Sequence, residues 1–332
     1  MGKNNLPYVS IIVPVYNEAQ YISLCLESLI NLNYPQTRYE IIVVDNGSTD
    51  ETMQIVERYA MRYNVKIYSC PSTTIAGVRN YGAKKAKGTI LAFIDADCVA
   101  DRNWLLNAIK SLKKELCVTG SQVQIPREAT WIEKAWFSQT KSGRYNAPYI
   151  NSANLIVPTE IFNKIGGFNE ALITGEDYEF CIRAKKVANV ISDSKIKVIH
   201  LRNPKYLFDF LKREMWHGLG AFGSFKIAWF DKPLLATILF MLLSVLQIIG
   251  FVCILTRGPK YIFGYASISI FFLITMTVLY RFFKYKMRFT RILQLMLLYY
   301  FYYLGRSISI MCIFYSRIQL LLGYNTERNY NK

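Results

Sequence analysis

The hydrophobic pattern of this chain changes character along its length. Over residues 8–125, continuous apolar and β-branched runs alternate with stretches of helical period. Val9–Val15 (VSIIVPV) reads as a strand buried on both faces, and Tyr39–Val44 (YEIIVV) as a second. Between them, Tyr21, Leu24, Leu26 and Leu29 supply the apolar side of a helix. Val65–Ser69 and Ile90–Ile94 predict a third and a fourth strand, with a helix over residues 75–86 between them. This alternation predicts an α/β fold, a mostly parallel sheet with helices on both faces. Such sheets bind ligands beyond the carboxyl ends of their strands. Asp45, which opens the turn-rich run DNGSTD, falls there, and so does Asp95-Ala96-Asp97.

Residues 126–200 are less regular. Helices are expected over 131–141, over Ile161–Phe168 with Gly166-Gly167 as a stop, and over Gly175–Lys186. Asn154–Val157 predicts a short strand, and 188–201 strands leading to His200. From 204 the character shifts to mixed aromatic and basic residues, the pattern of an interfacial amphipathic segment. Leu234–Thr256 then runs 23 residues without a charge and Tyr261–Tyr280 runs 20, each enough to span a bilayer. A third run, 292–316, carries Arg306 and is either a third span with that arginine facing protein, the favoured reading, or an interfacial element. The predicted organisation is a domain over 1–203, an interfacial segment over 204–233 and a membrane region over 234–332 with helices at about 234–256, 261–280 and 292–316.

Charge sharpens this division. The chain carries a formal net charge of +17, yet residues 1–200 hold 23 basic against 19 acidic side chains and residues 201–332 hold 17 against 4. The excess accompanies the apolar runs, which points to membrane lipids as partner and away from nucleic acid. The loop 281–291 holds five basic residues, more than the two of the turn at 257–260, and so belongs on the cytoplasmic side. A hairpin returns to its starting side, which puts residues 1–230 there too. No basic-then-apolar leader is expected, since the chain opens MGKNNLPYVS and enters a strand pattern. The seven cysteines show no C-x-x-C spacing and read as free thiols.

The candidate chemistry is acidic. Asp95 and Asp97, two carboxylates at i and i+2 beside a turn, suit a hard divalent cation, Mg²⁺ or Mn²⁺, able to bridge a diphosphate. Alone, such a pair is an ordinary turn. Asp45 suits a base N–H or a ribose hydroxyl, or simply an N-cap. Arg79 with Asn80 suits phosphate or base, with Gly77 permitting close approach, or a solvated helix surface. Glu176-Asp177 opens a helix, where negative charge is favoured by the dipole and where a general base would also sit. His200 is a metal ligand or a hydrogen-bonded histidine.

Taken together these segments resemble a family 2 glycosyltransferase of the GT-A fold, membrane-anchored and non-processive. The resemblance is carried in order by SIIVPVYNE (10–18), VVDNGSTDET (43–52), AGVRNYGAKKAKGTILAFIDADC (76–98), SANLIVPTEIFNKIGGFNE (152–170), TGEDYEFCIRAK (174–185) and the histidine of KVIH (197–200), covering about residues 8–200. It implies that Pro14, Tyr16 and Glu18 line a nucleotide pocket and that Asp45 holds the base. Gly77, Arg79, Asn80, Asp95 and Ala96 would contact the nucleotide. Asp95, Asp97 and His200 would hold the metal, Asp177 with Glu176 beside it would supply the base, and Asn154 would lie near the donor sugar. The implied reaction is inverting, a single displacement from a nucleotide-sugar, UDP by default, to a lipid-linked or saccharide acceptor in glycan or polysaccharide assembly.

Processive synthases of this family carry Q-x-x-R-W on an interfacial helix; here that place reads Arg213-Glu214-Met215-Trp216-His217. Trp216 and His217 remain as candidate acceptor contacts, and transfer of one sugar is expected rather than polymerisation. A polyprenyl-phosphate acceptor and a non-catalytic membrane-anchored nucleotide-binding scaffold remain open alternatives. A phosphohydrolase would carry its D-x-D on the first strand, and a dinucleotide-binding domain would need G-x-G-x-x-G after it; neither pattern is present.

Overall fold

The computed structural model describes residues 6–72, 74–138, 141–219, 232–256, 258–259, 261–285 and 287–321, with side chains described as far as 315. The chain divides into two compact units, Met1–Ala129 with Phe137–Asn203, and Thr130–Trp136 with Pro204–Lys332.

The first unit opens with β1 (Val9–Val15), α1 (Ile22–Ile30), β2 (Tyr39–Asp45), α2 (Thr52–Ala60), β3 (Val65–Ser69), α3 (Ile75–Lys85), β4 (Ile90–Phe93), β5 (Cys98–Ala100), α4 (Trp104–Leu112) and β6 (Cys117–Gly120). After α5 (Trp131–Trp136), which belongs to the second unit, follow β7 (Arg144–Asn146), β8 (Leu155–Pro158), α6 (Thr159–Ile165), α7 (Glu176–Ala184), β9 (Asn189–Asp193) and β10 (Val198–His200). Eight strands make one sheet in the order β3-β2-β1-β4-β8-β6-β9-β7, and β10 pairs with β5 in a small second sheet.

The first four strands pair in parallel, as their apolar runs require, and every residue of β1 and β2 is buried. The sheet is mixed overall, because β8 lies antiparallel to both β4 and β6, and β7 antiparallel to β9. Alternate residues of the strands supply cores on both faces. Ile11, Val13, Ile41 and Val43 pack with Leu26 and Trp104 of the helices on one side. Ile12, Phe93 and Val157 pack with Phe162, Phe168 and Phe180 on the other.

Several element boundaries differ from the sequence expectation. The buried side of α1 is Ile22, Cys25, Leu26 and Leu29, an i, i+3, i+4, i+7 stripe, and Leu24 is turned outward. The expected helix over 131–141 ends at Trp136, since only its first turns carry apolar residues. A Thr130–Glu133 capping box starts it, each side chain accepting from the other's backbone N–H. Asn154 closes a 3-10 turn, so β8 begins one residue later. Gly166 and Gly167, at φ of 84° and 71°, terminate α6 at Ile165.

The second unit contains α5, α8 (Leu207–Leu219), α9 (Lys232–Leu255), α10 (Tyr261–Tyr285) and α11 (Ile292–Leu321). Three helical segments, Lys232–Leu255, Tyr261–Tyr285 and Phe289–Tyr315, are long and apolar enough to cross a membrane. The expected interfacial segment is α8 as far as Leu219; residues 220–231 lie outside the described residues. Glycines let these helices approach closely. A Cβ on Gly218 of α8 would stand 2.7 Å from Ser309 Cβ of α11, and one on Gly305 of α11 would stand 3.0 Å from the Leu211 carbonyl oxygen. Arg306 points at Glu214 of α8, Nε to Oε2 3.4 Å, and lies over the Tyr302 ring at 4.3 Å. Trp136 packs edge-on against Phe210 and Tyr299.

Candidate active site

The carboxyl ends of β1, β2 and β4 open onto three loops on one edge of the first unit. Register aligns them: Val15 stands beside Asp45, and Ile12 beside Phe93. The loop after β1 turns at Asn17, in the left-handed region at φ 52°. Asn17 is tied to the loop after β2, taking the Thr49 N–H on its Oδ1 at 2.8 Å and donating its own N–H to Ser48 Oγ at 3.0 Å. The Glu18 N–H donates to Thr52 Oγ1 at 2.8 Å. Asp45 is buried and accepts from the N–H groups of Gly47 and Ser48, which fixes its carboxylate at the mouth of this loop. Pro14 is buried in β1, while Tyr16 is 54% exposed at the rim.

The D-x-D follows β4. Ala96 and Asp97 are buried, and Asp95 retains partial exposure. The small sheet then recruits His200, because β10 runs antiparallel to β5 with His200 opposite Cys98, and the Leu201 N–H donates to the Asp97 carbonyl at 2.9 Å. His200 Nε2 ends 3.5 Å from Asp97 Oδ2. Donor atoms of Asp97, Cys98 and His200 all lie within 4.8 Å of one another.

The most informative side chain is Arg79. It is 3% exposed, so it is no solvated helix arginine. Nη2 donates to Asp95 Oδ1 at 2.6 Å and Nη1 to Glu176 Oε1 at 2.7 Å. One guanidinium thus joins the D-x-D to the first turn of α7. Burial opposes its charge, but Asp95 and Glu176 hold it protonated. Gly175, at φ 80°, turns the chain into that helix, and Glu176, Asp177 and Glu179 fill its first turn, where the helix dipole favours them. Ser152 serves both leading acids, its Oγ 3.3 Å from Glu176 Oε1 and its N–H 3.4 Å from Asp177 Oδ2. Burial and the neighbouring Glu176 push the Asp177 carboxyl up to about 7.

Across the site Glu18 pairs with Arg202 at 2.6 Å, yet burial pushes its carboxyl up to about 7. Its second oxygen is buried and has no hydrogen-bond partner among the described residues, and the same holds for His200 Nδ1. Asp97 is likewise raised, chiefly by burial, with His200 pulling it down and Asp95 adding a smaller push upward. The cluster therefore gathers Glu18, Asp95, Asp97, Glu176 and Asp177 against two arginines. An excess of buried negative charge with spare oxygens and an imidazole beside it fits a divalent cation.

Other residues singled out in the sequence are engaged elsewhere. Asn80 clamps the segment after α6, donating to the Phe168 carbonyl and Glu170 and accepting the Phe168 N–H. Gly77 permits close approach, but by Ser72, whose Oγ would stand 2.3 Å from a Cβ there. Asn154 is fully buried, its amide bonded to Ser121 and the Ile196 carbonyl and its oxygen to the Trp104 indole. Trp216 and His217 belong to α8 in the second unit; Trp216 is exposed, and burial with Arg213 and Arg306 drives His217 down to about 3. The sequence reading missed Ser152 and Arg202. Arg202, two residues beyond His200 on an alternating stretch, carried a readable signal; Ser152 carried none.

Comparison with known proteins gives a consistent result. Residues 10–174 match the family described as Glycosyl transferase family 2. Glycosyltransferase AglE of Haloferax volcanii is 32% identical over 189 residues, 54% of this chain and 62% of that protein, so the chain spans under two thirds of its length. A dolichyl N-acetyl-alpha-D-glucosaminyl phosphate 3-beta-D-2,3-diacetamido-2,3-dideoxy-beta-D-glucuronosyltransferase of Methanococcus voltae is 28% identical over 315 residues, 83% of this chain and 96% of that one. Among solved structures, residues 1–349 of S. aureus TarS in complex with UDP-GlcNAc superpose with a TM-score of 0.50 at 25% identity, covering 64% of this chain and 66% of that one.

Proposed function

We propose that this chain, whose residues 10–174 match Glycosyl transferase family 2, is a glycosyltransferase of the GT-A fold that moves one sugar from a nucleotide-sugar by inverting displacement onto a hydroxyl of a lipid-linked acceptor. The observation that carries the reading is Arg79, which joins the D-x-D carboxylate to the turn bearing Asp177. The groups proposed for donor and acceptor chemistry are therefore tied to one guanidinium.

Asp177 acts as general base, taking the proton of the attacking hydroxyl. It suits the role because it is partly open to the cleft and oriented by the Ser152 and Tyr178 N–H groups, with a proton affinity near neutral. Tyr16, Glu18 and Asp45 bind the nucleoside at the ends of β1 and β2, Asp45 already being held by its own loop. Asp97 and His200, with the free oxygen of Asp95, would hold Mg²⁺ or Mn²⁺, which when bound neutralises the charge of the departing diphosphate. Positioning by these groups supplies much of the rate.

A hydroxyl acceptor is favoured over a lipid phosphate, because a phosphate is ionised at neutral pH and has no need of a base. The length-matched relative of Methanococcus voltae, whose name specifies transfer to position 3 of a dolichyl-linked sugar, supports a lipid-linked acceptor. Three helices long and apolar enough to cross a membrane support a multi-pass anchor, and the five basic residues of 281–291 support a cytoplasmic catalytic unit. The test is a screen of UDP- and GDP-sugars with a lipid-linked saccharide, following nucleoside diphosphate release and product mass. One added sugar, dependent on Asp177, supports the reading; polymer or no acceptor-dependent release contradicts it.

A further inference from the structure

Glu176 and Asp177 are adjacent in sequence and differently placed. Glu176 is 6% exposed, and its Oε1 receives both Arg79 Nη1 at 2.7 Å and Ser152 Oγ at 3.3 Å. Arg79 is itself buried beside the Phe168 ring and bound through its other amino group to Asp95, so it is not free to turn away. Asp177 keeps partial exposure and takes only backbone N–H groups, from Ser152 at 3.4 Å and its neighbour Tyr178 at 2.7 Å. Ser152 thus fixes both acids, one through its hydroxyl and one through its amide. A carboxylate bound this way to an arginine is a negative charge fixed in place.

We propose that Glu176 is a positioning residue for sugar transfer, clamped by Arg79 and Ser152 so that its negative charge stands against Asp177 and sets the acid edge of the pH range in which the enzyme turns over. The proposal rests on Asp177 being the base. The groups facing Asp177 are Glu176 and Cys181 on α7 and Arg79 on α3, with the Ser152 N–H from the 3-10 turn. Burial keeps the Cys181 thiol neutral, up at about 12. The charge of Arg79 is permanent and already shared by Asp95 and Glu176. Of these groups, Glu176 is therefore the one whose charge decides how tightly Asp177 holds its proton. A base of raised proton affinity takes the acceptor proton more strongly once unprotonated, at the cost of losing activity earlier on acidification.

The experiment is the pH dependence of kcat/KM for full-length detergent-solubilised protein. It follows nucleoside diphosphate release from whichever UDP- or GDP-sugar gives the highest rate, with UDP affinity measured in parallel by thermal shift. Glu176→Gln keeps the size and an acceptor for Arg79 while removing the charge. Its acid limb is expected to move down by about one to two pH units, with UDP affinity within about threefold of wild type. A folded, UDP-binding Glu176→Gln whose limb stays where wild type has it overturns the proposal. Should that variant not fold, Glu176→Asp withdraws the charge by one methylene; a smaller downward shift supports the proposal and an unmoved limb overturns it. Asp177→Asn separates the two readings: if it turns over, the base assignment fails whatever Glu176→Gln does.

Discussion

Each unit of the molecule pairs an arginine with a buried carboxylate, and the two pairs are built differently. In the second unit Arg306 meets Glu214 between α8 and α11, with Gly218 and Gly305 admitting the close approach and Tyr302 covering the guanidinium. Arg213 and Arg281 act on Glu214 as well, so positive charge is in excess there. In the first unit Arg79 meets Asp95 and Glu176 together, and Asp97, Asp177 and Glu18 stand nearby. Those charges leave acid in excess, and the excess collects at the ends of the strands. The first pair joins two helices under an excess of positive charge; the second stands in a cluster with an excess of carboxylates, which suits a cation.

The comparison is broken most sharply by removing each arginine. Arg79→Met leaves Asp95 and Glu176 without their cation and is expected to cost about 3–5 kcal/mol and at least about a hundredfold in turnover. Thermal unfolding and nucleoside diphosphate release check both parts. Arg306→Met is expected to destabilise by a similar amount, yet the double variant Glu214→Leu/Arg306→Met should recover most of it, since no buried carboxylate is then left without its partner. Arg79→Met/Glu176→Leu should not recover, because Asp95 and Asp177 remain. Equal recovery in both doubles would erase the distinction.

Smaller effects sharpen it. Gly218→Ala should lower thermal stability by about 1–3 kcal/mol through overlap with Ser309, and an unchanged melting temperature would mean that the helices part readily. Asp177 gives a pH effect of defined sign. Its folded proton affinity, about 7, exceeds the unfolded value of about 4, so ionising it costs more in the folded chain. Stability from this group therefore falls as pH rises between those values, and Asp177→Asn should raise the melting temperature by a few degrees above pH 7 and not at all near pH 4.

Much of the first unit is legible in the residue pattern. β1 and β2 are continuous apolar runs, and a strand of that kind has few alternatives once helices flank it. The D-x-D and Glu176-Asp177 are legible as acids beside turns. Their meeting is implied by the family resemblance and not by the residue pattern, because it depends on one guanidinium spanning 97 residues of chain from α3 to α7. Arg79 as an isolated helix arginine gives no sign of burial. Asn80 and Asn154 illustrate the opposite limit: amides suited to ligand contacts are consumed by backbone carbonyls of the protein itself, a fact fixed by packing. The antiparallel placing of β8 is likewise hidden, since Leu155–Pro158 reads the same in either direction.

The central claim is that Asp177 removes the acceptor proton in a cleft that binds the donor independently of it. The direct measurement is single-turnover release of nucleoside diphosphate by Asp177→Asn, with donor affinity determined on the same preparation. Donor bound as in wild type and release slowed by at least about a hundredfold is the predicted result; release at the wild-type rate would contradict the account.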